Sequence, residues 1–264
     1  MSDRLTVVET YRAQADRGRA ELLAASGPFT IELRFQGGLR PGLREAFVAA
    51  ADRWTRVIVG SLPPVVVDDE TIEDLVITAD ARPIDGAGGI LGQAGPTHLR
   101  PAGAGPAAYL PARGVMFFDA DDLERMRADG SLPDVIAHEM GHVLGIGTIW
   151  KHRRLLRGEG SRNPTFAGEG AMREYQRLRG APRRRRVPVE NTGGVGTRHG
   201  HWRESVFSDE LMSGYLTSPG NALSALTIAS LADLGYRVDP DAAEPYELPV
   251  PGPSGGPSGG RSDG

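Results

Sequence analysis

The sequence predicts an α+β fold in one domain, and three stretches carry that prediction. Phe29 to Phe35 alternates apolar and polar residues, as a strand with one buried face does. Pro41 to Val59 places Leu43, Phe47, Ala50, Trp54 and Val57 at helical spacing. Ser131 to Gly147 reads as a second helix, with an unusual set of polar residues. Strand, helix and further strands together make a helix backing a sheet.

Taken in order, residues 1–26 read as a polar helical leader, with only scattered Leu5, Val7, Val8, Leu22 and Leu23. The domain proper is expected over 27–246. After the first strand and its backing helix come Pro64–Val67 and Asp74–Ala79, both strand-like. Residues 80–112 are rich in Gly and Pro. Within them Gly89, Ile90, Leu91 and Gly92, continuing to Ala94, read either as a loop or as a short edge strand open to an extended substrate. Gly114–Phe118 is a buried strand. Asp119, Asp121 and Asp122 follow it without the glycine and distal glutamate of an EF-hand calcium loop, so they read as a turn capping a short helix over 121–128. Residues 148–200 form a polar insertion whose Arg183–Arg186 run is a solvated loop. Asn221–Gly235 is an apolar helix stopped by glycine, and residues 247–264, almost all Pro, Gly and Ser, form a disordered tail.

Composition narrows the function. The 264 residues carry 30 basic and 34 acidic side chains, a net charge of −4, which argues against a nucleic-acid binder. There is no cysteine, so disulfide scaffolding and thiolate metal ligands are excluded; any metal site must use His, Asp or Glu. A propeptide in 1–26 would have to mask such a site without a cysteine. No stretch is apolar enough for a signal-peptide core or a membrane span, so the location expected is cytoplasmic, or outside by a non-classical route.

The chemistry concentrates in His138, Glu139 and His142, an H-E-x-x-H pattern. Residues four apart share one helix face, so both imidazoles can aim at one zinc ion while Glu139 reaches a water beside it. Ser131 and Asp134 read as a capping box, Pro133 sits in the first turn, and Ile136, Met140 and Val143 form a separate apolar row. Gly145 and Gly147 then end the helix.

Zinc hydrolysis needs a third ligand. In the pattern H-E-x-x-H-x-x-G-x-x-H the third histidine follows the turn glycine, but here Gly145 is followed three residues on by Thr148. Three readings stand: a dead site, an acidic third ligand, or a histidine delivered later. The sequence favours the last, because His201, in Gly200-His201-Trp202, precedes Glu210-Leu211-Met212.

HEMGHVLGIGTIW (138–150), VPVENTGGVGTRHGHWRESVF (187–207) and ELMSGY (210–215) together resemble the leishmanolysin family of zinc endopeptidases, with weaker agreement from about Phe29 to Tyr236. The resemblance implies a metzincin, zincin-like catalytic domain: a mixed twisted sheet with a backing helix, an active-site helix, and a C-terminal subdomain carrying a Met-turn. It implies one zinc ion held by His138, His142 and His201, Glu139 as general base, and Met212 beneath the site. His199 competes with His201 as third ligand; the His-Trp pair and the distance to Met212 favour His201. His98 and His152 are incidental. Tyr215 lies one residue beyond the place where some metzincins add a tyrosine ligand. The absent cysteines and absent signal argue against carrying over the family's extracellular, membrane-attached setting.

The function implied is a zinc-dependent endopeptidase acting on protein or peptide substrates. The alternatives are a catalytically silent, zinc-stabilised binding domain, in which Glu139 would have no purpose, and a zinc amidase or esterase on a small substrate.

Overall fold

The computed structural model describes residues 7–37, 39–82, 92–194, 196–216 and 219–249. Its centre is a five-stranded mixed sheet. Strand β1 (Glu9–Gln14) leads into a one-and-a-half-turn helix α1 (Arg17–Leu22), and then β2 (Thr30–Phe35) pairs back on β1 antiparallel. Helix α2 (Pro41–Val57) crosses over before the hairpin β3 (Val65–Val67) and β4 (Glu70–Ile72) and the long strand β5 (Leu75–Arg82). Strands β6 (Gly92–Leu99) and β7 (Pro111–Asp119) complete the sheet in the order β1-β2-β5-β7-β6. β5 runs parallel to both β2 and β7, whereas β6 is antiparallel to β7 and pairs with no further strand among the described residues.

Alternation along the strands assigns the two faces. Ile31, Leu33, Phe35, Ile77, Ala79, Met116 and Phe118 are buried in the main core with α2. Val76 and Ala112, on the other face, are covered by Val67 and Ile72 of the β3–β4 hairpin. Pro41 opens α2 at a position where a missing N–H costs nothing. The helix packs by edge-to-face contacts of Phe47 with Phe35 and Phe118, centroids 6.1 and 5.7 Å apart.

Helix α3 (Ala120–Asp129) starts where β7 ends. Asp119 caps it by accepting from the backbone N–H of Asp121 and Asp122, and Gly130 closes it in the left-handed conformation. Only Ser131 then separates it from α4 (Leu132–Val143). Ile136, Met140 and Val143 of α4 are fully buried, and the Trp54 indole donates to the Ala137 carbonyl at 2.9 Å, tying α4 to α2.

The C-terminal part holds a three-stranded sheet of β8 (Leu156–Arg157), β9 (Thr165–Phe166) and β10 (Val187–Pro188), with α5 (Glu169–Leu178), α6 (Glu204–Phe207) and α7 (Ala225–Leu234). Ser224 caps α7 and Gly235 ends it. Trp150 stacks on Trp202 at 4.9 Å, and Phe166 and Phe207 pack around them, so one aromatic cluster holds the segment beyond α4 together.

Three expectations are corrected. The described part of the expected helical leader 1–26, residues 7–26, is not one helix: Glu9–Gln14 is an edge strand, and among these residues only Arg17–Leu22 is helical. An edge strand exposes most of its side chains, so a polar segment can serve, and six backbone registers with β2 outweigh local helix preference. Nor does Ser131 make a capping box. It lies in the right-handed region and donates its hydroxyl to Asp129 at 2.6 Å, while Asp134 accepts from the backbone of Gly220 and Asn221 at 2.6 and 3.0 Å. The insertion 148–200 is built of strands and a helix rather than looping out. In it Arg183–Arg186 is exposed, between α5 and β10. Of the candidate edge strand, Gly92, Gln93 and Ala94 lie in β6, which continues to Leu99, and Gly89, Ile90 and Leu91 lie outside the described residues. The tail from residue 250 onward also lies outside them, whereas Leu248 packs against the core.

Candidate metal centre

α4 presents His138 and His142 one turn apart, with ring centroids separated by 4.7 Å. The chain leaves α4 through Gly145 and Gly147, both at positive φ. At Gly147 a Cβ would stand 2.1 Å from the Gly200 carbonyl oxygen, so only glycine lets this turn lie against the segment that carries His201. That segment is held on both sides. Trp202 bridges antiparallel to Val189 and parallel to Ser213, and its N–H donates to the Met212 carbonyl at 2.9 Å.

The result is a triangle of imidazole Nε2 atoms: His138 to His201 at 3.0 Å, His138 to His142 at 3.1 Å, His142 to His201 at 2.9 Å. Each ring's other nitrogen faces a backbone carbonyl: Leu211 at 2.6 Å for His138, Ile146 at 2.9 Å for His142, Thr197 at 2.7 Å for His201. A carbonyl has no hydrogen, so each Nδ1 must be the donor, and each neutral ring keeps its Nε2 lone pair turned inward. Three lone pairs converge with no hydrogen to share. A bound cation removes that repulsion, and the carbonyl-oriented rings are the usual outer support of a histidine metal ligand. These three buried residues can hold a metal ion.

Electrostatics agree with neutral rings. Burial, reinforced by His142 and His201, holds the His138 imidazole well below its ordinary value. Burial and His142 hold His201 down to about 3, against smaller opposing effects of the Thr197 carbonyl and then Glu190. Glu139 is half-buried and lines the same cleft of about 1530 Å³; burial pushes its carboxyl up, with His142 partly offsetting this. Gln93 and Ala94 of β6 also line the cleft.

Met212 is fully buried beneath the helix. A Cβ on Gly141 would lie 2.6 Å from its sulfur, so the glycine lets the methionine approach α4 between the two histidines. His199 is not in the triangle. It sits at φ +71° on the cleft wall, its Nε2 3.4 Å from the Gly160 N–H. His98 is exposed near Asp68, and His152 packs beside Tyr109.

Two carboxylates escaped the sequence reading. Glu210 is fully buried and accepts from the Met212 N–H at 2.6 Å, the Ser224 hydroxyl at 2.5 Å and the Thr227 hydroxyl; Thr227 in turn accepts from the Trp202 indole at 2.8 Å. Glu190, 1% exposed, accepts from Asn191, Thr192 and Glu204. Burial works to raise the Glu190 carboxyl, but those donors outweigh it and hold it low. The available signal was slight: an acid at the border of an apolar run, Val-Pro-Val-Glu190 and Glu210-Leu-Met, with polar residues on its other side.

Three inward imidazoles and an acid in an open cleft of an α+β domain are the equipment of a metallopeptidase. The sequence model of the leishmanolysin peptidases matches residues 65–247, well over half of the chain. The chain therefore belongs to the leishmanolysin family of zinc metallopeptidases. No curated protein matches it. Among the described residues no helix is long and apolar enough to cross a membrane.

Proposed function

We propose that this protein is a zinc-dependent endopeptidase of metzincin type, with His138, His142 and His201 as the zinc ligands. The observation that carries the reading is the triangle of inward Nε2 atoms, each ring tethered by its Nδ1 to a carbonyl, with Glu139 beside it in the cleft. Zinc, when bound, lowers the pKa of a coordinated water towards ~7 and polarises the substrate carbonyl.

The chain's own residues do the rest. Glu139 takes a proton from the attacking water and passes it to the leaving nitrogen. Met212 and Gly141 form the packed base that fixes the separation of the two helix histidines, the role of a Met-turn. The outer edge of β6, unpaired among the described residues, offers backbone groups to an extended peptide, and a strand added there lies along the cleft that Gln93 and Ala94 line. A cleft of about 1530 Å³ exceeds the few hundred to about 1,000 Å³ usual for small-molecule pockets, which supports a polypeptide substrate.

The test is Glu139→Gln. The variant should retain stoichiometric zinc and lose casein hydrolysis. If it cleaves an unfolded protein as fast as wild type, the assignment of the base is wrong.

A further inference from the structure

The third imidazole comes from a part of the chain 59 residues beyond His142. Its position rests on a loop that Glu190 closes. The Glu190 N–H donates to the His201 carbonyl at 2.9 Å, and the Glu190 carbonyl accepts from the His199 N–H at 3.0 Å. The two ends of the loop are thereby clasped by one residue's backbone.

The side chain clasps four further groups. Its Oε1 accepts from the Asn191 N–H at 2.9 Å, the Thr192 N–H at 2.8 Å and the Thr192 hydroxyl at 2.6 Å, fixing the turn that begins the loop. Its Oε2 accepts from the Glu204 N–H at 2.8 Å, fixing the chain just after His201-Trp202. A Cβ at Gly214 would meet Oε2 at 3.1 Å, so the carboxylate also rests on the segment following Met212. Glu190 is 1% exposed, and all of these donors are neutral. A buried charge so fully satisfied by backbone and hydroxyl groups acts as a rigid bracket.

We propose that Glu190 is a positioning residue: its carboxylate holds the arm that carries His201 in the ligand geometry before metal arrives. The proposal rests on the reading of His138, His142 and His201 as ligands. Without the bracket, the arm must be ordered at each binding event, and that cost appears as weaker metal affinity. Glu190 acts on the metal only through His201.

The experiment compares wild type, Glu190→Ala, Glu190→Gln and His201→Ala as full-length chains. Zinc affinity is read by competition with a chromogenic chelator, and the cobalt-substituted proteins are compared by visible absorption. Hydrogen exchange is followed at the His199 and Trp202 amides, whose acceptors are not the Glu190 side chain, and at the amides of α2 and α4. Glu190→Ala should bind zinc about 10- to 100-fold more weakly, the size of effect seen when outer supports of a ligand are removed. Its cobalt spectrum should shift, and its His199 and Trp202 amides should exchange faster in the metal-free protein while α2 and α4 are unchanged. Glu190→Gln keeps an acceptor for Asn191 and Thr192 but loses the one for Glu204, so it should recover most of the affinity.

The proposal is overturned if Glu190→Ala binds zinc as tightly as wild type while His201→Ala does not. It is also overturned if α2 and α4 amides accelerate along with the arm, because the carboxylate is then a general structural element. If Glu190→Ala does not fold, Glu190→Gln decides: a smaller but measurable loss of zinc affinity with faster exchange confined to the arm supports the bracket, and an affinity, cobalt spectrum and arm exchange all equal to wild type, or a loss of affinity with global acceleration, refutes it. If His201→Ala itself keeps wild-type affinity, it is the ligand reading that fails.

Discussion

Gly147 is where the turn out of α4 touches the His201 arm, and Gly147→Ala perturbs that contact alone. Two costs arise. Gly147 sits at φ +76°, and an L-residue there costs roughly 1–2 kcal/mol. In addition the new Cβ would stand 2.1 Å from the Gly200 oxygen, a backbone atom with no rotamer to escape into. Relief requires the two segments to part by about 1 Å, and Gly200 is the residue before His201. A displacement of about 1 Å at a reacting centre is enough to cost on the order of 100-fold in rate.

Gly160→Ala is the matched control. Its φ is +77°, and nothing lies within 4 Å of a Cβ there. It carries the dihedral cost without the collision. Both variants should melt lower, by roughly 2–8 °C per 1–2 kcal/mol at this chain length. Only Gly147→Ala should also lose zinc affinity and casein hydrolysis, each by about 10-fold or more. Equal zinc affinity in the two variants would refute the claim that the close approach of Gly147 to Gly200 sets the position of His201.

Three further outcomes follow from other parts of the molecule. Glu210→Gln replaces a buried acceptor of four hydrogen bonds by a group that is half donor, so it should lower stability by about 1–3 kcal/mol in denaturant titration; a midpoint unchanged from wild type would show that the network under Met212 contributes nothing. Asp239 is held below the ordinary carboxylate range chiefly by the Arg19 guanidinium, which binds it at 2.5 and 2.6 Å. Its contribution is therefore complete above the unfolded value of about 4 and is lost as pH falls below that, so Asp239→Asn should flatten the pH dependence of stability below about pH 4 and leave its slope near neutrality unchanged. Finally, chelation should lower the melting temperature, and zinc at about 100 times its Kd should restore about 2.7 kcal/mol; a melt indifferent to zinc would exclude a metal-bound native state.

The legible parts of the sequence were those governed by local periodicity. The 3.6-residue repeat alone places His138 and His142 on one face of α4 and puts Ile136, Met140 and Val143 on another. Alternation in Phe29–Phe35 likewise marked β2, because a one-residue slip would turn its apolar side chains to solvent, and the continuous apolar run Gly114–Phe118 marked the buried strand β7. β1 was misread because an edge strand needs little apolar patterning and is defined by what it pairs with. The small sheet β8–β9–β10 was missed for a similar reason: two-residue strands have no period to detect.

By itself, then, the sequence determined the chemistry available: two histidines and an acid on one helix, no cysteine to compete, and a motif resemblance that singled out His201 and Met212. Tertiary structure alone decided how those groups are held. The Leu211, Ile146 and Thr197 carbonyls that orient the three rings, the clasp of Glu190 and the buried Glu210 network have no signature in composition or spacing. Such contacts join residues far apart in the chain, and their geometry exists only after the core has packed and brought the segments within hydrogen-bonding distance.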